Sequence, residues 1–384
     1  MTMMQVADYF DKPVIDWDLS IKNLSADFLF HQIIAGKPLD GDWSLVDLAI
    51  LGIADGCNSP GNEQCALAPD AIRKELYQLA GFENLRVVDL GNVKGVDVRN
   101  RICALNEVLP TLLDAGVVVL VLGGSQDYLH PLARIVGNRE RLTLAIADSR
   151  IDWESSGDDY TADGFIKCMA DDLSDCLSQC FLLGTQRYFI PGRIENSLDH
   201  NIFENIRLAN IRGELIKQTE PVLRESNVFG LDVSVVRSVD MPAQKRAMPN
   251  GIMGHELCQI ARYAGLSDRM QLGGFFELNP LCDSSDKRGV ALMAQAVWHF
   301  IEGVGHRYFD YPFCPLDHYD TFVVWMDDFE LEITFFRNSL NNRWWVKIPS
   351  GEGETVMACS EEDYKKASGN EFPDRWFKAM LKRN

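Results

Sequence analysis

Val117-Val-Val-Leu-Val-Leu-Gly-Gly124 is apolar at six consecutive positions and then stops on two glycines. A strand that buries one face alternates apolar with polar, whereas a strand apolar throughout lies inside a sheet covered on both faces. The same signature recurs on either side of it. Asp47-Leu-Ala-Ile-Leu-Gly52 and Leu85-Arg-Val-Val-Asp-Leu-Gly91 precede it. Thr143-Leu-Ala-Ile-Ala-Asp148, Cys180-Phe-Leu-Leu-Gly-Thr185, Val228-Phe-Gly-Leu-Asp-Val233 and Leu272-Gly-Gly-Phe-Phe-Glu-Leu278 follow. Amphipathic helix patterns separate these runs, among them Ala68–Leu79, with Pro69 early, and Arg288–Glu302. Apolar strands alternating with helices predict a doubly wound parallel sheet in a three-layer α/β/α domain.

Nearly every run ends in Gly, Asp or Glu. Ligands of open parallel sheets bind beyond the carboxyl ends of the strands, so these polar ends are expected to share one crevice. Two of them bring three carboxylates: Asp148 and Asp152 in Ala147-Asp-Ser-Arg-Ile-Asp152, and Asp232 in Gly230-Leu-Asp-Val-Ser234. Gathered carboxylates raise one another's pKa values unless a cation neutralises them. A positive partner is therefore expected there.

The order of these motifs resembles the ureohydrolase family of arginase, agmatinase and formimidoylglutamase. Leu122-Gly-Gly-Ser-Gln-Asp127 stands where the family has Gly-Gly-Asp-His-Ser. Asp148-Ser-Arg-Ile-Asp152 is similar to its Asp-Ala-His-x-Asp, and Gly230-Leu-Asp-Val-Ser-Val-Val-Arg237 to its Ser-x-Asp-x-Asp-x-x-Asp. Phe276-Glu-Leu-Asn-Pro280 resembles Glu-x-Asn-Pro, and Ala68-Pro-Asp-Ala-Ile-Arg73 an early Gly-Pro-x-x-Ile-Arg. The loop Val236-Arg-Ser-Val-Asp-Met-Pro-Ala243, followed by Pro249-Asn-Gly251, looks like that of formimidoylglutamases.

The resemblance implies an arginase-like fold and a pair of manganese ions that activate water against a guanidino or formimidoyl carbon. It carries over Asp148, Asp152 and Asp232 as metal ligands, while Gln126, Arg150 and Ser234 stand at substituted ligand positions. Gln126 still offers a carbonyl oxygen, but Arg150 has no lone pair to give. The expectation is one Mn2+ or none, and no nucleotide cofactor. Without manganese, Arg150 would bridge to Asp148, Asp152 or Asp232, with Arg237 as a second internal cation.

Glu277 and Asn279 would bind substrate, and His255 would shuttle a proton beside Glu277. His130 reads as a structural helix residue; Asp127 and Asp240 lie close enough to the substituted positions to stand in as ligands. Two functions remain open: a formimidoylglutamase-like hydrolase of linear amidine or guanidino C–N bonds, and a catalytically inactive member that binds or assembles.

Composition narrows the classes. With 37 basic and 56 acidic side chains the net charge is −19, which disfavours nucleic acid. No apolar run reaches the ~18 residues of a membrane span and no signal sequence opens the chain, so a cytoplasmic protein is expected; the resemblance implies a homo-oligomer acting on a small amidine or guanidino metabolite. Ten cysteines occur with no Cys-x-x-Cys, which argues for free thiols over a thiolate zinc site. Gly123-Gly124 lacks the surroundings of a phosphate loop.

The expected organisation is an N-terminal helical segment (1–44), the α/β domain (45–305) and a C-terminal extension (306–384). In the extension Phe322–Met326, Leu331–Asn338 and Arg343–Ile348 alternate around Asn341-Asn342, predicting a β-meander and helix. Four of the eight tryptophans fall here, Trp325, Trp344, Trp345 and Trp376, which marks a packing surface.

Overall fold

The computed structural model describes residues 3–15, 24–35, 42–153, 160–310, 318–350 and 353–381. Its centre is a ten-stranded, mostly parallel sheet. The strands are β1 (Phe10–Asp11), β2 (Ile34–Ala35), β3 (Leu48–Gly52), β4 (Val87–Val93), β5 (Val118–Leu122), β6 (Leu142–Ala147), β7 (Leu177–Thr185), β8 (Phe203–Arg207), β9 (Val228–Asp232) and β10 (Leu272–Phe276). They lie in the order β1-β4-β3-β5-β10-β9-β6-β7-β8, with β2 also on β4 and only β1 antiparallel.

β3, β5, β9 and β10 are buried at every residue, so each side chain packs on one of two helical layers. One layer, including the helices Val98–Asp114, Leu129–Gly137 and Phe165–Asp172, meets side chains such as Val119, Leu144 and Ile146. The other, including Ala68–Leu76, Gly254–Gly265 and Arg288–Gly305, meets Leu120, Ala145 and Phe229. Gly265 and Gly303 let two of these helices cross closely, since a Cβ on Gly265 would stand 2.1 Å from the Phe300 carbonyl oxygen.

All seven apolar runs form strands. The described part of the N-terminal segment holds short helices (Met3–Ala7 and Leu29–Gln32) but also adds β1 and β2 to the sheet, while residues 1–2, 16–23 and 36–41 lie outside the described residues.

The C-terminal extension is a separate antiparallel sheet, β11 (Tyr319–Met326), β12 (Leu331–Asn338), β13 (Trp344–Ser350) and β14 (Gly353–Cys359), in sequential order. The turn before β13 places Asn342 at φ +59°, a conformation asparagine tolerates. β14 was not anticipated. Trp344 and Trp376 are buried in this sheet's own core. Trp345 is buried on the opposite face, under the Arg224 guanidinium at 4.4 Å, which joins the sheet to the helix Thr219–Glu225. Trp325 stays 58% exposed. The nine described cysteines are free thiols.

Candidate functional site

The five strands β3-β5-β10-β9-β6 are consecutive neighbours in the sheet, and the segments leaving their carboxyl ends line one cleft. After β3 come Ser59 and Asn62, after β5 Gln126, after β10 Glu277, at the end of β9 Asp232, and after β6 Asp148, Arg150 and Asp152. The cleft offers about 80 Å³ of space to solvent.

Asp148, Asp152 and Asp232 each direct a carboxylate oxygen into one small volume, all within 4.8 Å of one another. Their neighbours are neutral donors. The Arg150 backbone N–H and the Ser234 hydroxyl both donate to Asp148 Oδ1 at 2.9 Å. The Ser234 N–H donates to Asp232 Oδ1 at 2.6 Å, and the Ser149 and Ser234 hydroxyls pair at 2.9 Å. With its amide nitrogen turned to the carboxylates, Gln126 donates to Asp232 Oδ2 (3.1 Å) and Asp148 Oδ2 (3.3 Å). Burial raises Asp148, and burial followed by the neighbouring carboxylates raises Asp152 and Asp232 well above the ordinary range.

The expected internal cations stand elsewhere. Arg150 lines the cleft, but its guanidinium lies over the Phe189 ring, 4.3 Å from the centroid, and makes no ion pair with an aspartate among the described residues. Its Nε is buried with no hydrogen-bond partner. Arg237 pairs with Asp240 at 2.8 Å, and Asp240 also accepts the Gly254 N–H at the start of a helix, so neither joins the triad. Both side chains point away from the triad's carboxylates, and the salt bridge expected of Arg150 does not form.

Glu277 holds a left-handed backbone conformation, φ +64°, costly for a non-glycine residue and retained where its surroundings enforce it. Ser59 Oγ (2.6 Å) and Asn62 Nδ2 (2.8 Å) donate to its Oε2, and the Gln126 N–H donates to Oε1 at 2.9 Å. Burial raises its pKa despite these donors. Glu277 thereby ties the loop after β3 to Gln126. Asn279 donates to Asn62 Oδ1 at 2.8 Å and supports that loop from behind; it does not line the cleft.

His255 is exposed on the first turn of the helix Gly254–Gly265 and does not line the cleft, so the shuttle position expected for it is not formed. His130 contacts Tyr160 and Asp172, a structural setting. Asp127 is buried and accepts from Asn58 at 2.7 Å, apart from the triad.

Sequence reasoning missed Ser59, Asn62, Lys245 and Arg246, all of which line the cleft. The strand-end rule applied to β3 points to Asn58-Ser-Pro-Gly-Asn62; nothing comparable marks Lys245 or Arg246.

The arginase family model matches residues 46–302. The chain belongs to the arginase family. A formiminoglutamase from Trypanosoma cruzi with Mn2+ is similar in structure at 19% identity, with 73% of this chain and 99% of that one covered and a TM-score of 0.64. A formimidoylglutamase from Bacillus subtilis gives 16%, 74%, 95% and 0.64, and an arginase from Medicago truncatula 18%, 67%, 86% and 0.57. At these identities the likeness is one of fold. No curated protein matches the sequence. Among the described residues no helix is long and apolar enough to cross a membrane.

Proposed function

We propose that the cleft is a hydrolytic centre built on a single divalent cation, acting on a C–N bond of a small linear amidine or guanidino compound. The observation that carries this reading is the triad of Asp148, Asp152 and Asp232, buried at Asp148 and half-buried at Asp152, with no side-chain cation paired to it among the described residues. Such a cluster either holds protons or takes a cation from solution. Its oxygen-only donors suit Mn2+ or Mg2+, with the Gln126 carbonyl as a fourth once its amide turns. A second ion finds no comparable set, because Arg150 has no lone pair and Ser234 offers only a neutral hydroxyl.

An ion in this set supplies a nucleophile from water at neutral pH. The side chains position the rest. Glu277 fixes Gln126 and the Ser59–Asn62 loop, and with three donors on its carboxylate it has about one acceptor site left for a cationic ligand. Three carboxylates against one dication leave a net charge that favours an amidinium. Proton transfer is not assigned to His255. The hydrolytic unit is residues 45–305, the extension 306–384 is an appendage, and the reading carries a cytoplasmic homo-oligomer by kinship.

The absence of a lone-pair nitrogen ligand at Gln126 and Arg150 favours a second reading, a member that binds a cation without turnover. Metal analysis after incubation with Mn2+, followed by assay on an N-formimino amino acid, separates the two. One ion per chain with product supports the hydrolase; one ion without product supports the silent binder. No bound ion and no rise in melting temperature with Mn2+ over EDTA removes both.

A further inference from the structure

The three carboxylates at the floor of the cleft have an opposite on its wall. Arg150, Lys245 and Arg246 all line the same space. Lys245 is committed to the Pro60 carbonyl and Arg246 is an exposed side chain, so Arg150 is the one of the three with a buried donor that lacks a partner. Three observations define its state. The guanidinium lies flat against Phe189, 4.3 Å from the ring centroid, which holds it by a cation–π contact. No side-chain carboxylate pairs with it among the described residues, although Asp148 is two residues away and bonded to the Arg150 backbone N–H. Its Nε is buried without an acceptor. An unsatisfied buried donor on a permanently charged group is costly, and the group lines the cleft.

We infer that Arg150 is a ligand-anchoring residue: it takes an oxyanion, a carboxylate or a phosphate, of the molecule bound over the triad. A guanidinium offers a planar fork of donors that matches two oxygens of such a group. Arg150 thus plugs no metal position. It presents positive charge to the ligand within the same cleft, and the Phe189 ring sets the plane of the fork. The cleft is then two-signed, with cation-binding carboxylates on one side and an anion-binding guanidinium on the other. This inference builds on the proposed single-ion centre but does not require it, since the guanidinium is present with or without a bound ion.

The test is thermal shift and calorimetry on the full chain, with acetate and inorganic phosphate as separate oxyanion probes, each with Mn2+ and with EDTA. Wild-type protein is expected to bind at least one oxyanion, more tightly with Mn2+ because the carboxylate charge is then offset. Arg150→Met should weaken that binding about tenfold or more, the scale of a lost charge-assisted pair, while leaving the Mn2+ shift in place. Arg150→Lys should restore part of it, and Phe189→Leu should weaken it less than Arg150→Met. Oxyanion binding equal in wild type and Arg150→Met overturns the inference, as does its absence from wild type. Loss of the Mn2+ shift in Arg150→Met also overturns it, because the guanidinium would then be supporting the triad. A wild type with no Mn2+ shift but with Arg150-dependent oxyanion binding overturns the proposed hydrolytic centre and leaves this inference standing.

Discussion

Arg73 and Arg150 each stand beside buried aspartates of the same sheet, and they are used in opposite ways. The Arg73 side chain is fully buried and every nitrogen of its guanidinium is bonded. Nε and Nη2 fork onto Asp89 at 2.7 and 3.0 Å, Nη2 also donates to the Gly91 carbonyl, and Nη1 reaches Asp70 at 3.2 Å and Asn92 at 2.6 Å. Tyr77 adds its hydroxyl to Asp89. Arg150 makes none of these bonds; it rests on a ring and faces a cleft whose carboxylates hold only neutral donors. A buried cluster that contains its own counterion and fills its donors is structure. One that leaves three carboxylates and a guanidinium in the same cleft without joining them is open to ligand.

That contrast breaks first at Arg73. Arg73→Leu leaves Asp89 buried without its cation, a change that costs about 3–5 kcal/mol. Melting should fall by roughly 4–6 °C in a chain of this size, and Mn2+ should recover little of it. A fall of only a degree or two would mean that the network is not closed and that the two clusters differ less than their geometry says. The same exchange in the triad should behave differently. Asp152→Asn removes a charge that burial and its neighbours already disfavour, so its melting temperature in EDTA should match or exceed that of wild type. What it should lose is the response to metal, about 2.7 kcal/mol for wild type when Mn2+ is present at 100 times its dissociation constant.

The third expectation concerns pH. Asp148, Asp152 and Asp232 have folded pKa values above their unfolded ones, so the folded state binds protons more tightly. The stability this supplies is fully present below the ordinary carboxylate pKa near 3.8 and is lost as pH rises through the raised values. In EDTA, wild-type melting should therefore decline with rising pH above the usual carboxylate range more steeply than that of Asp152→Asn. Asp55 provides the opposite sign. Burial pushes it up, but the Cys57 N–H, Tyr128 and Arg101 outweigh that and hold it low, so its contribution is present above the ordinary pKa and lost in acid. A melting curve in EDTA with equal pH dependence in both proteins would show that the triad is neutralised from within.

How much of this was legible in the sequence depended on what each feature needs from distant residues. The buried strands read directly, because a run such as Val118–Leu122 carries its two-sided burial in its own composition. β8 did not, because Phe203-Glu-Asn-Ile-Arg207 lies at the sheet edge and is only half-buried beyond its first residue. The triad was legible because strand ends converge in any such fold. Arg150 was legible as a residue but not as a direction. Its orientation depends on Phe189, which arrives from the segment after β7, and counting charges cannot distinguish a guanidinium over a ring from one on a carboxylate. The left-handed backbone of Glu277 was equally hidden, since glutamate is not a residue that favours positive φ.

Gln126 is where the contrast can be sharpened with the smallest effect. With its amide nitrogen turned to the carboxylates it bridges Asp148 and Asp232 at 3.3 and 3.1 Å, long bonds that soften the repulsion between two carboxylates without neutralising it. Gln126→Met keeps the volume and removes the bridge, so in EDTA it should cost about 0.5–1.5 kcal/mol, a few degrees at most. The amide also carries an oxygen, and a cation among the carboxylates reverses which end is favoured. The variant should therefore bind Mn2+ only a few-fold more weakly, having lost one neutral ligand while three charged ones remain. A hundredfold loss would make Gln126 a principal ligand, and no change of stability in EDTA would show that the amide does not bridge. Either result would bring the triad closer to the closed, self-sufficient design of Arg73, whereas a small cost in EDTA and a small loss of affinity mark a side chain that serves the carboxylates until a cation replaces it.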